Sequence, residues 1–318
     1  KGEAIQTMKE VKIVCFDKTG TITKGKPEVS EIYTHQEIKE NYLLKVAASL
    51  EKLSEHPLAH AVIEKEETKK YFSVNNFKVI RGNGVIGKIK GKEILIGNER
   101  LFETKKFSLT KIKSQITAMQ EKGMSLMILS EDKKILGVIG IRDEIKEDSK
   151  KAIESLNKSG YKTVMITGDN EKTAQTIAKE VGIQKVISQV LPEDKLKIVV
   201  DLQKQGFVAF VGDGINDAPA LKQSIVGIAV GSGTDIAIEA GDIVLANSDL
   251  TSVVKSIKLS KKTFGKIKQN LFWAFFYNAA MIPLAIAGFI NPVLAELAMA
   301  LSSITVISNA NLLRRVKI

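Results

Sequence analysis

Short runs of β-branched residues recur along the chain, and they end in small or acidic residues. Several are separated by stretches with helical patterning, at 148–158, 171–181 and 194–204. Because strands that alternate with helices build parallel sheets covered on both faces, this pattern predicts an α/β fold. The predicted strands lie at 13–16, 163–166, 186–190, 207–211, 226–230 and 243–245.

The first predicted strand is separated from the second by more than a hundred residues. A separation of this length indicates that residues 27–135 form a second domain, inserted after the first strand. The domain that carries the parallel sheet then comprises residues 1–26 and 136–262.

The C-terminal part of the chain has the pattern of a membrane hairpin. Residues 269–295 and 297–313 contain no charged side chain, and each stretch approaches the roughly 20 residues that a helix needs to cross a bilayer. The Asn291-Pro292 pair between them favours a tight turn. Basic residues flank the hairpin on both sides, so the positive-inside rule places both ends in the cytoplasm. Two buried helices of a soluble core are the alternative, and they fit these flanks less well.

Composition narrows the remaining classes of function. The net charge of +11 would suit nucleic acid. However, aromatic residues make up only 6% and do not alternate with basic ones, so we expect no nucleic-acid partner. The single cysteine, Cys15, excludes an internal disulfide and any multi-cysteine metal site. Its apolar neighbours predict a buried packing role.

Four polar clusters follow the predicted strands, at the strand ends where open α/β sheets place their chemistry. They are Asp17-Lys18-Thr19-Gly20-Thr21 after the first strand, Thr167-Gly168-Asp169 after the second, Lys195 on the helix after the third, and Gly212-Asp213-Gly214-Ile215-Asn216-Asp217 after the fourth.

The side chains in these clusters suit phosphoryl transfer. A carboxylate such as that of Asp17 is a competent nucleophile toward phosphorus, and the transferred group needs cationic and N–H donors around it. We expect Thr167, Gly168 and Lys195 to supply these donors. Mg²⁺ prefers a few hard oxygen ligands, which Asp17, Asp213 and the backbone carbonyl of Thr19 would provide. Asn216 and Asp217 would orient the phosphate and the groups around the metal.

With these motifs in place, the chain resembles the P-type ATPases, whose phosphorylation domain has the haloacid-dehalogenase fold. The resemblance implies that Asp17 is the phosphorylated aspartate. It also implies a Rossmannoid phosphorylation domain (1–26 and 136–262), an inserted α+β nucleotide-binding domain (27–135) and two transmembrane helices (263–318). The catalytic set implied is Asp17, Lys18, Thr19, Thr167, Gly168, Asp169, Lys195, Asn216 and Asp217.

One departure from the phosphatases of this fold sharpens the prediction. Those enzymes carry a second aspartate two residues after the nucleophile, where it acts as general acid, and this chain has Thr19 there. Without that proton donor, an acyl phosphate on Asp17 should persist long enough to drive a conformational change.

The inserted domain carries motifs that resemble the nucleotide-binding domain of heavy-metal pumps, the P1B group. The first motif is residues 54–59, preceded by Glu51; the second is residues 82–87, and the third is residues 97–98. This match implies ATP contacts at Glu51, His56, Gly82, Gly84 and Asn98. A dinucleotide fingerprint fits residues 82–87 poorly because the residues that follow are patterned as strand. A zinc site on His56 and His60 lacks a third ligand nearby.

The hairpin suggests the transported ion. Its polar groups are thioether and neutral oxygen groups without an intramembrane aspartate or histidine, which suits a soft monovalent ion. They resemble the motifs of the copper(I) and silver subgroup, and the same residues also pack membrane helices. The metal contacts implied are Tyr277, Asn278, Met299, Ser302 and Ser303.

These observations predict the C-terminal portion of a copper-exporting pump in the cell membrane, in contact with lipid and with cytoplasmic catalytic domains. Its expected ligands are ATP, Mg²⁺ and Cu(I) or Ag(I). The actuator and the earlier membrane segments of such a pump are missing, and the chain begins at Lys1, so we expect an excised fragment. The alternatives are a phosphatase of the same fold and a non-transporting, ATP-binding split subunit.

Overall fold

The computed structural model describes residues 2–214, 217–231, 235–289 and 292–315. Its strands are β1 Ile13–Asp17, β2 Thr23–Thr34, β3 Val74–Ile80, β4 Gly84–Ile89, β5 Lys92–Gly97, β6 Ser125–Glu131, β7 Lys134–Ile145, β8 Lys162–Ile166, β9 Lys185–Ile187, β10 Val208–Gly212, β11 Val226–Val230 and β12 Ile243–Leu245. Its helices are α1 Gly2–Thr7, α2 Glu40–Glu51, α3 Pro57–Lys65, α4 Glu99–Thr104, α5 Lys113–Glu121, α6 Ser149–Lys158, α7 Glu171–Val181, α8 Lys195–Gln203, α9 Ala218–Gln223, α10 Asp235–Ala240, α11 Leu250–Ile286 and α12 Pro292–Asn311.

The first sheet is parallel and six-stranded, in the order β12-β11-β10-β1-β8-β9. Strand β1 is buried along its whole length, and its residues alternate between two cores, as the two-residue period of a strand requires. Val14 and Phe16 pack with α6, α7 and α11, whereas Ile13 and Cys15 pack with α8 and α9. The predicted α/β fold is therefore present, with helices on both faces of the sheet.

Local signals define the helices that carry site residues. Asn170 caps α7 by accepting a hydrogen bond from the Thr173 amide at 3.0 Å, and Gly182 ends it in the left-handed region at φ 86°. Pro192 opens the short turn that leads into α8. Capping residues at the start and glycine at the end are the usual limits of a helix.

The second sheet is antiparallel, in the order β2-β7-β6-β5-β4-β3. Helices α2 and α3 pack on one face, and α4 and α5 on the other. Strands β2 and β7 pair from Thr23↔Ile145 to Thr34↔Gly137. This long two-stranded ribbon leads from the loop after Asp17 into the inserted sheet. The proposed domain border at 26/27 falls inside β2, and the border at 135/136 falls near the start of β7, at the far end of the ribbon.

The C-terminal helices form an antiparallel pair. The Lys266 ammonium bonds Asn309 at 2.7 Å, Asn309 bonds Asn270 at 2.7 Å, and the Tyr277 and Thr305 hydroxyls lie 3.2 Å apart. By length and composition, one described helix, residues 293–315, is apolar enough to cross a membrane. Helix α11 is a single helix of 37 residues that begins in the first sheet's core and contains no break at the proposed border of 263.

One predicted strand is shorter than its sequence suggested. The run 186–190 forms a strand only as Lys185–Ile187, because Gln189 adopts a left-handed conformation at φ 56° that a strand cannot continue.

Candidate active site

The predicted clusters converge at one edge of the first sheet. Asp17 ends β1, Thr167 follows β8, and Asp213 follows β10, and β1 lies between β8 and β10. Parallel neighbours bring these strand ends together even though the residues are far apart in the chain. Asn216 lies outside the described residues.

Lys195 is the centre of the ionic contacts. Its Nζ donates to Asp17 Oδ1 and to Asp217 Oδ1, both at 2.7 Å. The two carboxylates are almost fully buried, at 6% and 1% exposure. Helix α8 begins at Lys195, so the start of this helix positions the ammonium group between them.

The loop 18–22 fixes the other side of Asp17. The Thr19 amide donates to Asp17 Oδ2 at 3.1 Å, so both carboxylate oxygens have a donor. Gly20 turns the loop at φ 74°, a conformation that favours glycine. A Cβ on Gly20 would lie 3.6 Å from Asp213 Cβ, which shows that the loop packs against the second predicted Mg²⁺ ligand.

Gly212 lets Asp217 approach β10. A Cβ on Gly212 would lie 2.6 Å from Asp217 Oδ2 and 2.9 Å from Asp217 Cβ. Only a residue without a side chain leaves room for the aspartate at this position, so the glycine of this motif has a packing role as well.

The site carries more negative charge than Lys195 balances. Burial raises the pKa of Asp17, and the ammonium of Lys195 only partly offsets this. Burial, followed by the charge of Asp17, raises the pKa of Asp217 to about 7. Asp213 adds to both effects. Carboxylates that raise one another's pKa are typical of a site for an additional cation.

A magnesium ion fits this arrangement. Within the part of the chain that the structure describes, the buried Oδ2 of Asp217 has no hydrogen-bond partner. The described residues contain no group of three acidic, histidine or cysteine side chains that could hold a metal. Mg²⁺ needs only one or two carboxylates, because substrate phosphates and water complete its shell. Asp17, Asp213 and the Thr19 carbonyl suffice in number.

Lys18 and Asp169 form a second buried pair, with 2.6 Å between Lys18 Nζ and Asp169 Oδ2. Burial alone would lower the pKa of Lys18, but Asp169 raises it above its usual range. Ser125, at the start of β6 in the inserted sheet, donates to Asp169 Oδ1 at 2.8 Å. Sequence reasoning missed Ser125, because a serine in a strand carries no local signal of such a contact.

His56 faces this pair from the inserted sheet. It caps α3, with Nδ1 accepting from the Leu58 amide at 3.2 Å, which leaves Nε2 for a ligand. Its desolvated position lowers the pKa of His56, and Asp169 and Lys18 are close enough to modify it further. A zinc site shared with His60 gains no support, since no suitable cluster occurs among the described ranges.

The other predicted nucleotide contacts fall into two groups. Asn98 donates through Nδ2 to the Gly82 carbonyl at 2.9 Å, and Gly84 pairs with Gly97 across β4 and β5. A Cβ on Gly82 would clash with Leu191 at 2.4 Å, so this turn contacts the segment before Lys195. Glu51 lies at the end of α2, where burial raises the pKa of its carboxyl group to about 7.

A family profile described as haloacid dehalogenase-like hydrolase matches residues 11–224, more than half of the chain. The chain belongs to this family. Among solved structures, this family member matches a zinc-transporting PIB-type ATPase at 34% identity and a TM-score of 0.71, over 98% of this chain and 51% of that one. It also matches the catalytic domain of the CPx-ATPase CopB-B at 30% identity and a TM-score of 0.63, over 81% of this chain and 93% of that one.

Two curated relatives are similar along the whole chain. One is the copper-exporting P-type ATPase of Staphylococcus haemolyticus (strain JCSC1435), at 44% identity over 100% of this chain and 40% of the relative. The other is copper-transporting ATPase 2 of Rhizobium meliloti (strain 1021), at 42% identity over 99% of this chain and 39% of the relative. The chain thus spans about 40% of the length of these relatives. Both relatives are named as ATPases that transport or export copper.

The described hairpin shows the surroundings of the residues predicted to contact the transported ion. Tyr277 faces Thr305 on α12, Asn278 donates to the Ala274 carbonyl of its own helix, and Met299 is 69% exposed. Ser302 is half-buried and Ser303 is exposed. The transported-metal site therefore stays a prediction.

Proposed function

We propose that this chain is the catalytic and hairpin portion of an ATP-driven copper(I) pump that works through an aspartyl phosphate on Asp17. The observation that carries the proposal is the contact of Lys195 with Asp17 at 2.7 Å, at the end of a buried central strand. This contact holds a carboxylate as an oriented nucleophile next to a cation that can neutralise an incoming phosphoryl group.

In the proposed reaction, an oxygen of the Asp17 carboxylate attacks the γ-phosphorus of ATP. The new Oδ–P bond forms as the bond between the γ-phosphorus and the bridging oxygen breaks, and the electron pair leaves with ADP. Lys195 and the loop amide of Thr19 orient Asp17, and Thr167 and Gly168 lie at the adjacent strand end. When bound by Asp17, Asp213 and the Thr19 carbonyl, Mg²⁺ would neutralise charge on the phosphates.

The nucleotide would bind between the two sheets. His56, Gly82, Gly84 and Asn98 lie on the inserted sheet's side, and the Gly82 turn already contacts Leu191 of the phosphorylation side. We propose that Glu51 and His56 recognise the adenine end while the glycine turn approaches the phosphates. The domains proposed are 1–26 with 136–262 for phosphorylation, 27–135 for nucleotide and 263–318 for the membrane.

Copper(I) is the proposed cargo, and silver(I) shares its chemistry. The relatives named for copper are 42–44% identical, against 34% for the structure named for zinc. The two uncharged stretches of the hairpin offer thioether and neutral oxygen ligands, which favour a soft monovalent ion over Zn²⁺. In the proposed pump, further membrane helices would complete the metal site, and transport would need the remaining domains.

Labelling with γ-³²P-ATP and Mg²⁺ tests the phosphoryl acceptor. We expect an acid-stable, hydroxylamine-sensitive label on the wild-type chain and none on Asp17→Asn, because the amide is not a nucleophile. Equal labelling of Asp17→Asn would contradict the proposal. Rapid turnover of small phosphate esters without a trapped label would instead support a phosphatase. In the whole pump, a panel of Cu(I), Ag(I) and Zn²⁺ on ATPase activity would identify the ion.

A further inference from the structure

Lys146 links the loop after Asp17 to the start of the long helix α11. Its Nζ donates to the Gly20 carbonyl and to the Ser248 carbonyl, both at 2.8 Å. These acceptors lie 126 and 102 residues away in the chain. Ser248 lies two residues before α11 begins at Leu250.

The partners of this ammonium group are unusual for a lysine near acidic residues. Asp143, Asp148 and Asp249 are all close enough to act electrostatically on Lys146, yet its Nζ donates to two backbone carbonyls. Burial is the largest influence on the group and lowers the pKa of Lys146. A half-buried lysine that satisfies backbone carbonyls fixes the position of two segments relative to each other, which an exposed ion pair does not do.

Each of the two segments that Lys146 holds makes a further contact, one with Asp213 and the other with Asp148. Gly20 packs against Asp213, so its carbonyl lies in the loop that connects Asp17 with the proposed Mg²⁺ ligands. On the other side, the Thr251 amide donates to Asp148 Oδ2 at 2.7 Å. Helix α11 then buries Leu250, Val253, Val254 and Ile257 in the sheet's core before it continues into the hairpin.

We infer that Lys146 is a positioning residue that transmits the state of the Asp17 loop to the start of α11. Phosphorylation would add negative charge beside loop 18–22 and change the position of the Gly20 carbonyl. Because the same ammonium group also holds Ser248, a shift on one side changes the hydrogen bond on the other. The inference rests on the proposed phosphorylation of Asp17.

The test uses the full chain in lipid nanodiscs with Mg²⁺ and beryllofluoride, which mimics an aspartyl phosphate. Amide hydrogen exchange is followed in two segments, 17–23 and 248–253. In the wild type we expect slower exchange in 17–23 and a changed rate in 248–253. In Lys146→Met we expect the response in 17–23 to remain and the response in 248–253 to fall by about fivefold, the size expected for one lost hydrogen bond.

Two variants separate positioning from simple structural support. Lys146→Arg keeps several N–H donors and should restore the response in 248–253. Lys150→Met removes an exposed lysine from α6 with the same change of charge, and it should behave as the wild type. Should Lys146→Met fail to fold, Lys146→Leu, which likewise removes every N–H donor from the side chain, takes its place with the same expected loss.

The outcomes are distinguishable. If 17–23 does not respond in the wild type, the proposed role of Asp17 fails. If 17–23 responds but 248–253 does not, or if 248–253 responds equally in the wild type and Lys146→Met, then only the inference about Lys146 is overturned.

Discussion

At the scale of single residues, the site depends on how one ammonium group is shared. Lys195 contacts both Asp17 and Asp217, and it cannot neutralise two buried carboxylates fully. Burial, followed by the charge of Asp17, raises the pKa of Asp217 to about 7, and the surplus negative charge suits a divalent cation. An uncharged residue at 195 would leave both buried carboxylates without the ammonium group that contacts them, which is strongly unfavourable.

Glu51 offers a residue-scale test, because its carboxyl group is buried at 2% exposure. Its pKa is raised from 4.5 to about 7 in the folded protein, so the folded state holds a proton that the unfolded state releases between these pH values. Stability should therefore fall as pH rises from about 4.5 to 7. A pKa difference of this size corresponds to about 3 kcal/mol at most.

We expect Glu51→Gln to raise the melting temperature at pH 8 and to change it little at pH 4.5, since the amide stays neutral throughout. Thermal melts at the two pH values measure this, with the exposed Glu55→Gln as the matched control. An equal change at both pH values would argue against a buried carboxyl group with a raised pKa at Glu51.

At the scale of secondary structure elements, the β4–β5 hairpin gives Gly84 a structural role beside its proposed contact with ATP. Gly84 has φ 149°, and a Cβ there would lie 2.0 Å from the Ile96 carbonyl oxygen. The glycine is thus required by the close approach of β4 to β5.

Gly84→Ala should lower the free energy of unfolding of the inserted domain by about 3 kcal/mol, from overpacking and backbone strain together. Gly91→Ala is the control, because Gly91 also has a positive φ but open space around it, so only strain of about 1 kcal/mol is expected. Urea denaturation of both variants measures the difference. Equal losses would show that the contact with Ile96 does not constrain β4.

At the scale of the whole molecule, contacts hold the inserted sheet against the phosphorylation sheet. Ser125 donates to Asp169 at 2.8 Å, and Thr173 donates to the Met124 carbonyl at 2.8 Å. Through Asp169, Ser125 also reaches Lys18, the neighbour of Asp17. The position of the inserted sheet is thereby linked to the electrostatics around Asp17.

We expect Ser125→Ala to reduce the rate of Asp17 phosphorylation at low ATP by about tenfold, the effect of losing a hydrogen bond to a charged group. The maximal rate and the labelling by inorganic phosphate should change little, because neither depends on the hydrogen bond that holds the inserted sheet against Asp169. Rapid-quench labelling over a range of ATP concentrations measures this.

Ser125→Thr should restore the wild-type rate, and Ser108→Ala, on the exposed surface of the same domain, is the matched control. A loss that appears equally with ATP and with inorganic phosphate would mean that Ser125 acts on folding and not on closure.

The sequence alone determined the features that depend on local pattern. Both faces of β1 pack against a core, so a continuous apolar run at 13–16 is enough to indicate a buried strand. Asp17 then stands at the carboxyl end of that strand. Parallel strands share that edge, and for this reason the clusters at 167–169, 195 and 212–217 could be assigned to one site before any coordinates.

Tertiary structure decided the pairings that no local pattern records. Ser125 meets Asp169 across 44 residues, and Lys146 meets Gly20 and Ser248 across more than a hundred. A lone serine in a strand or a lysine in a charged stretch looks the same whether it is solvated or buried against a distant backbone. Such contacts depend on how the two sheets and α11 pack, and packing is a property of the folded chain as a whole.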